Sequence, residues 1–263
     1  MKEIEMAFFD DIAISYDQTF SYSNIGSQLR SLGWKMFEKE IAGNGLHILE
    51  INCGTGVDAL YFASQGHMVT ATDASPKMIR VASGKCYLSN PKFVVSSFDD
   101  LQLNFRDELF DVIFSNFGGL NCASSDDLEK IFADASSLLK PGGQFIAVVM
   151  GSACAWEMAY YLLKRDKRAF RRARKSGAKT VLGSQTFTTY YHSPNQLKRL
   201  SEKFFQSTRL APLGLILPPT YVEHYFAKRP RTLRLLSKLE RKITSFSILS
   251  NFADHYMIVL KKI

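Results

Sequence analysis

The chain has 263 residues, 46% hydrophobic and 22% charged, a composition that fits a globular protein with a sizeable core and excludes a disordered or fibrous one. Its net charge of +8 hides a division: residues 1–150 hold 11 Lys and Arg against 19 Asp and Glu, and residues 151–263 hold 22 against 6. Such asymmetry predicts a basic lobe joined to an acidic core. No run approaches the ~18 consecutive apolar residues that span a bilayer. The opening MKEIEMAFFDDIAISYD lacks the apolar stretch of a signal peptide. Cysteines 53, 86, 122 and 154 form no CxxC pair, so the expectation is a reduced, cytoplasmic protein without a structural metal.

In chain order, residues 3–42 read as two helices joined by SYDQTFSYSNIG. HILEI (47–51) reads as a buried strand, followed by a glycine turn and the helix VDALYFASQG. HMVTATD (67–73) is a second strand, after which Ser75 caps a helix with Pro76 at its first position. KFVVSS (92–97) and FDVIFSN (110–116) are the third and fourth strands. SSDDLEKIFADASSLLK places apolar residues at 128, 131, 132, 135, 138 and 139, a helical spacing. LLKPGGQF then stops the helix, turns and enters a fifth strand, 143–150. Residues 151–203 are predicted to be mostly helical; within them KRDKRAFRRARK (164–175) has eight basic residues and one acid. FFQSTRLAPLGLIL and DHYMIVLKK read as closing strands. The expected division is a helical cap at 1–45, a ligand-binding core at 46–150, a basic helical lid at 151–203 and sheet-completing strands at 204–263.

Alternating strands and helices, with apolar strands, argue for a parallel sheet covered on both faces. In such sheets the ligand lies beyond the carboxyl ends of the strands. The glycine turn, Asp73, Ser97 and Asn116 all fall there. GTGVDA (54–59) by itself fits a dinucleotide fingerprint, with Asp73 near the spacing of a ribose contact. Glu50, immediately before the turn, favours a cationic ligand and opposes a pyrophosphate.

Over 46–150 the chain resembles the class I S-adenosylmethionine-dependent methyltransferases. ILEINCGTG, TATDAS and SLLKPGGQFIAVV carry the likeness, with ISYD near the N-terminus. The resemblance implies a Rossmann-like, doubly wound α/β fold with a seven-stranded, mostly parallel sheet and one antiparallel strand. It also implies S-adenosyl-L-methionine as cofactor. Glu50 would then hold the methionine amino group, Gly54 and Gly56 would let the backbone approach, and Asp73, beside Ala74, would take the ribose hydroxyls. Ser97 and Phe98 stand where the family usually has its adenine contacts. Asn52 stands where it usually has glycine; asparagine tolerates a left-handed backbone, so the turn can survive. Asn116 would lie beside the sulfonium, and Tyr16 would close over the cofactor. Plainer readings exist: Asp58 as a helix-start carboxylate, Ser97 as a strand-end cap, Tyr16 as core.

After the fourth strand, SNFGGLN lacks the Asn/Asp-Pro-Pro-aromatic motif of enzymes that methylate base amines. No carboxylate cluster follows Asn116 to hold a metal. The expectation is a metal-independent transfer to O or N, ahead of C, of a small-molecule or lipid-like acceptor. Candidate catalytic residues are His192, Tyr191 and Glu157; Tyr191, with Trp156, Tyr160, Tyr161 and Tyr190, also reads as the core of a helical lid, and His192 as an exposed strand-end or turn histidine. His255 reads as a strand residue. The basic run suits an anionic or carrier-bound acceptor, or contact with anionic lipid, while nucleic acid is not expected. The alternatives are an NAD(P)-binding oxidoreductase, a non-catalytic binding protein on the same fold, and an RNA methyltransferase that uses the basic half.

Overall fold

A computed structural model describes residues 9–174, 176–182 and 185–263. After α1 (Asn24–Phe37), strands and helices alternate as β1 (His47–Glu50), α2 (Val57–Ser64), β2 (Met68–Asp73), α3 (Pro76–Gly84) and β3 (Lys92–Val95). α4 (Leu101–Phe105), β4 (Phe110–Ser115), α5 (Ser125–Leu138) and β5 (Leu139–Met150) follow. Beyond them lie α6 (Ala155–Leu163), β6 (Ala178–Leu182), β7 (Gln185–Thr189), α7 (Pro194–Ser201) and β8 (Phe205–Leu213). The chain ends with α8 (Glu223–Phe226), α9 (Pro230–Ile243) and β9 (His255–Lys262).

Seven strands form one sheet in the order β3-β2-β1-β4-β5-β9-β8. Only β9 runs against its neighbours β5 and β8, so the expected mostly parallel sheet with one antiparallel strand is what forms. Successive residues of a strand face opposite sides, and both sides are covered. Ile48 joins Phe62, Phe114, Leu29 and Leu233 on one side. Leu49 joins Ile113, Ile131, Phe132 and Phe145 on the other. Ser75 accepts from the Met78 N–H at 3.1 Å and caps α3 as predicted. Ser124 and Asp127 form a reciprocal capping box at the start of α5.

Three regions differ from expectation. The first predicted helix begins among residues outside those described; from Asp10 on, the segment makes a short 3-10 turn and a wide helical turn over Asp17–Ser21 before α1. Within 151–203, expected to be mostly helical, β6 and β7 pair as an antiparallel hairpin. Their Thr-rich stretches carry little apolar alternation for a sequence reading to detect. α9 interrupts the region expected to hold only strands. Its inward face includes a charge, Glu240, whose carboxylate accepts four backbone N–H groups from Gly214 to Leu217 at 2.7–3.1 Å.

Candidate functional site

β1, β2 and β4 deliver Glu50, Asp73 and Asn116 to one edge of the sheet, where the turn from β1 to α2 also lies. Gly54 and Gly56 have φ of +52° and +77°, conformations that favour glycine. A Cβ at Gly54 would meet nothing within 4 Å, so its open side faces the crevice. Gly56 is required for a different reason: a Cβ there would stand 2.7 Å from the Phe93 ring and 2.9 Å from Ala82. The first glycine leaves room for a ligand, and the second lets α2 pack against the sheet.

Glu50 is fully buried, and neither carboxylate oxygen makes a well-formed hydrogen bond; the nearby Ala59 N–H and Arg30 charge offset its burial only in part. Burial, reinforced by the neighbouring Asp58, pushes its pKa well above the usual carboxylate range. Asp73 accepts from the Gly54 N–H (2.8 Å) and the Ser75 N–H (2.9 Å), one on each oxygen. Burial raises its pKa too, against those two bonds. Each oxygen keeps a second lone pair for a ligand hydroxyl. Ala74 follows it, half-buried.

Asn52 does not use the left-handed backbone that asparagine tolerates; among the described residues only Phe117 and Arg165 have positive φ without being glycine. Its side chain instead bridges two elements, donating to the Asn116 carbonyl (2.7 Å) and accepting from Ser115 Oγ (2.5 Å). Asn116 is buried, and its Nδ2 donates to Asp58 at 3.0 Å. Phe117 then turns with φ +40°, an uncommon geometry for a bulky residue and one that often marks a working site. Ser97 donates to Asp100 (2.6 Å) and makes no side-chain cap. Phe98 packs partly against the core.

Asp58 is more than a helix-start carboxylate. It is buried and receives Arg30, Trp34 Nε1 (2.6 Å) and Asn116 Nδ2 (3.0 Å). Arg30, on α1, lies over the Phe117 ring at 5.1 Å, and its Nε is buried without a partner. No periodicity or motif in the sequence flags Arg30. Arg30, whose NH1 is taken by Asp58 but whose Nε is unsatisfied, and the buried Glu50 carboxylate thus offer one cationic and one anionic group, which suits the carboxylate and ammonium of an amino-acid moiety.

Ahead of α1, Tyr16 stacks on Phe20 (5.1 Å). Burial raises its pKa, with Arg30, Asp73 and Asp58 close enough to act on it. This segment is fastened to the glycine turn: Asp17 accepts from Thr55 Oγ1 (2.5 Å) and pairs with Lys85, while Asp10 accepts from Ser75.

The candidate bases lie further along. Glu157 is buried and is held by Arg171 and Arg172. Tyr191 lies under the Arg172 guanidinium at 4.8 Å, and burial raises its pKa. His192 is 2% exposed; its Nε2 lies 3.1 Å from the Ala123 carbonyl, and burial lowers its pKa. Within the basic run, Arg172 also pairs with Asp254 (2.6 Å) and Arg168 with Asp166 (2.6 Å). Part of the run therefore holds the fold together, while Lys164, Arg165, Lys167 and Arg174 are exposed and Lys175 lies outside the described residues. Among the described residues, no group of three or more His, Cys, Asp or Glu is placed to hold a metal. No helix among them is long and apolar enough to cross a membrane.

Residues 48–143 match the family model of a methyltransferase domain. A malonyl-[acyl-carrier protein] O-methyltransferase of Erwinia pyrifoliae is 32% identical over 147 residues, 52% of each chain. A demethylmenaquinone methyltransferase of Tropheryma whipplei is 29% identical over 141 residues, 52% of this chain and 55% of its own. The chain thus spans about half the length of the curated relatives it matches. Among solved structures, the magnesium protoporphyrin IX methyltransferase of Synechocystis PCC 6803 with bound SAH (S-adenosylhomocysteine) superposes with a TM-score of 0.61 at 12% identity, over 100% of both chains. A SAM-dependent methyltransferase of Methanosarcina mazei gives 0.59 at 18% identity, over 86% of this chain and 97% of its own. At these identities the structural likeness is one of fold.

Proposed function

From a core that belongs to the class I S-adenosylmethionine-dependent methyltransferases, we infer that this chain binds S-adenosyl-L-methionine and transfers its methyl group to a small-molecule acceptor. The observation that carries the inference is Glu50, a fully buried carboxylate whose oxygens make no well-formed hydrogen bond. A buried acid compensated only in part is costly, and a cationic ammonium relieves that cost. The same acid, with Asp58 and Asp73 nearby, opposes the pyrophosphate of a nicotinamide dinucleotide.

In this reading Glu50 holds the amino group and Arg30 the carboxylate of the methionine moiety. Asp73 takes the ribose diol through its remaining lone pairs, and Gly54 leaves the space the ligand enters. Tyr16 covers the site from the segment that Asp17 fastens to Thr55 and Lys85. When bound, the cofactor supplies an electrophilic methyl group on a positively charged sulfur. The protein then has to align an acceptor with that methyl and exclude water.

In this reading the acceptor lies beside Phe117, Met150 and the start of β9, which meet one another. The exposed cations of α6 and the segment after it favour an anionic or carrier-bound acceptor. The test is transfer of label from methyl-labelled S-adenosylmethionine to a panel of phenols, alcohols, amines and carboxylates, free and carrier-bound. Labelled product with equimolar S-adenosylhomocysteine is expected from at least one class. Cofactor binding without transfer to any class would favour the non-catalytic reading instead.

A further inference from the structure

We propose that His255, held in orientation by Asp254, is the general base of the transfer, so that the acceptor attacks through an atom that carries a proton: an alcohol, a phenol or an N–H group. The proposal rests on the methyl-transfer reading above and narrows its substrate class.

His255 is the first residue of β9 and pairs with Met150 at the end of β5 and Leu213 at the end of β8. Because β9 is antiparallel, its beginning lies at the carboxyl edge of the parallel strands, the edge that carries Glu50, Asp73 and Asn116. The imidazole meets the Phe117 ring edge-on, with centroids 5.3 Å apart and planes at 79°. Phe117 follows Asn116 directly and makes the strained turn, so His255 stands on the acceptor side of the crevice.

Its orientation is fixed from behind. Nδ1 is buried and lies 3.2 Å from Asp254 Oδ2, a close ion-pair contact that falls short of a well-aligned hydrogen bond. The other oxygen of Asp254 receives Arg172 NH2 at 2.6 Å, and its backbone carbonyl receives Arg172 NH1 at 3.2 Å and the Gly151 N–H at 3.1 Å. Glu157 backs Arg172 at 3.0 Å. Although burial works against ionisation, Arg172 and His255 hold the Asp254 carboxyl well below the usual carboxylate range. A buried, ionised carboxylate beside Nδ1 selects the Nδ1–H tautomer and leaves the Nε2 lone pair bare. Among the described residues nothing hydrogen-bonds to Nε2, and solvent reaches 12% of the side chain while Nδ1 is buried. A base oriented by a third group has this arrangement.

The other candidates lack these features. Solvent scarcely reaches His192, Tyr191 keeps its phenol proton, and Glu157 is committed to two arginines. The charged groups facing His255 are Asp254, with Arg172 and Glu157 behind it, and Arg30 across Phe117. As the acceptor atom bonds to the methyl carbon, its proton passes to Nε2. The carbon–sulfur electron pair leaves with sulfur, which becomes a neutral thioether. Asp254 stabilises the imidazolium until it gives its proton to water. An acceptor that is already anionic, such as a carboxylate, needs no such base.

The test reads the tautomer and the chemistry separately. Ring-nitrogen NMR of the 15N-histidine-labelled chain at pH 8, without cofactor, should show His255 as the Nδ1–H tautomer. An Nε2–H tautomer, or a ring protonated on both nitrogens, would overturn the proposal even if no acceptor is yet in hand. His255→Gln should bind S-adenosylhomocysteine as the wild type does. With phenol, alcohol and amine acceptors its kcat should fall about 10²–10⁴-fold, the usual contribution of a general base, while KM changes little. Unchanged turnover of an O–H or N–H acceptor would also overturn it. Failure of the wild type to bind S-adenosylhomocysteine would instead sink the methyl-transfer reading on which the proposal stands.

Discussion

The side chain of Asn52 occupies the space in which a Cβ on Gly119 would stand, so the loop after β4 lies directly against the turn after β1. The contact is reinforced by the bonds from Asn52 to Ser115 and to the Asn116 carbonyl. Each such bond contributes roughly 0.5–1.5 kcal/mol. Asn52→Ala is expected to cost about 1–3 kcal/mol, seen as a lower midpoint in urea unfolding. Gly119→Ala should also destabilise, by collision. The double variant should lose less than the sum of the two, because removing the amide makes room for the methyl. Strict additivity in that cycle would contradict the packing described.

Glu50 makes a prediction about pH. Its folded-state pKa lies above that of a glutamate in an unfolded chain, so between those two values the native protein binds more protons than the unfolded one. Stability of the ligand-free protein therefore falls as pH rises through that window. Glu50→Gln removes the ionisation, and its melting temperature should exceed that of the wild type by a margin that grows with pH. The same substitution should weaken S-adenosylmethionine binding roughly ten- to a hundred-fold. A variant less stable than the wild type at every pH would mean that Glu50 has a partner in the folded chain.

The strands of the seven-stranded sheet and the cap at Ser75 are legible in the sequence because they rest on local periodicity and local hydrogen-bonding chemistry. Glu50, Asp73 and Asn116 could be placed because each stands at the end of such a strand. Arg30 could not, since its pairing with Asp58 spans 28 residues and depends on how α1 lies over α2. His255 was hidden for a related reason. DHYMIV has the pattern of a sheet strand, and only the antiparallel insertion of β9 between β5 and β8 brings its first residue to the ligand-binding edge. The sequence shows Asp58 only as a helix-start carboxylate, because its partners lie on α1 and after β4.

Asp73 has two roles that one substitution confounds and two can separate. Asp73→Ala should weaken cofactor binding roughly ten- to a hundred-fold. It should also destabilise the ligand-free protein, since the Gly54 and Ser75 N–H groups lose their acceptor. Asp73→Asn keeps one of those acceptors and should recover part of the stability, but little of the affinity. Calorimetry and thermal melts on the pair measure both effects. Equal affinity in wild type and Asp73→Ala would remove the ribose assignment.

Asp17 fastens the segment before α1 to the glycine turn. Its bonds to Lys85 and Thr55 outweigh burial and hold its pKa below the ordinary value. The stability this linkage adds is present at neutral pH and is lost only as pH falls through that depressed pKa. Asp17→Ala should raise amide hydrogen exchange over residues 10–22 by about ten-fold, since a charge-assisted bond is worth roughly 1.5–3 kcal/mol. Exchange at the strands of the sheet should not change. Protection that is unaltered over 10–22 would show that the segment is held by other contacts.

The central claim is that the crevice beyond β1, β2 and β4 takes a sulfonium nucleoside with an amino-acid tail and not a dinucleotide. Calorimetric titration of the purified chain with S-adenosylmethionine, S-adenosylhomocysteine and NAD, in parallel, tests it most directly. Micromolar or tighter binding of the first two, with no heat from NAD, is the predicted result. Binding of NAD, or of none of the three, would contradict the account.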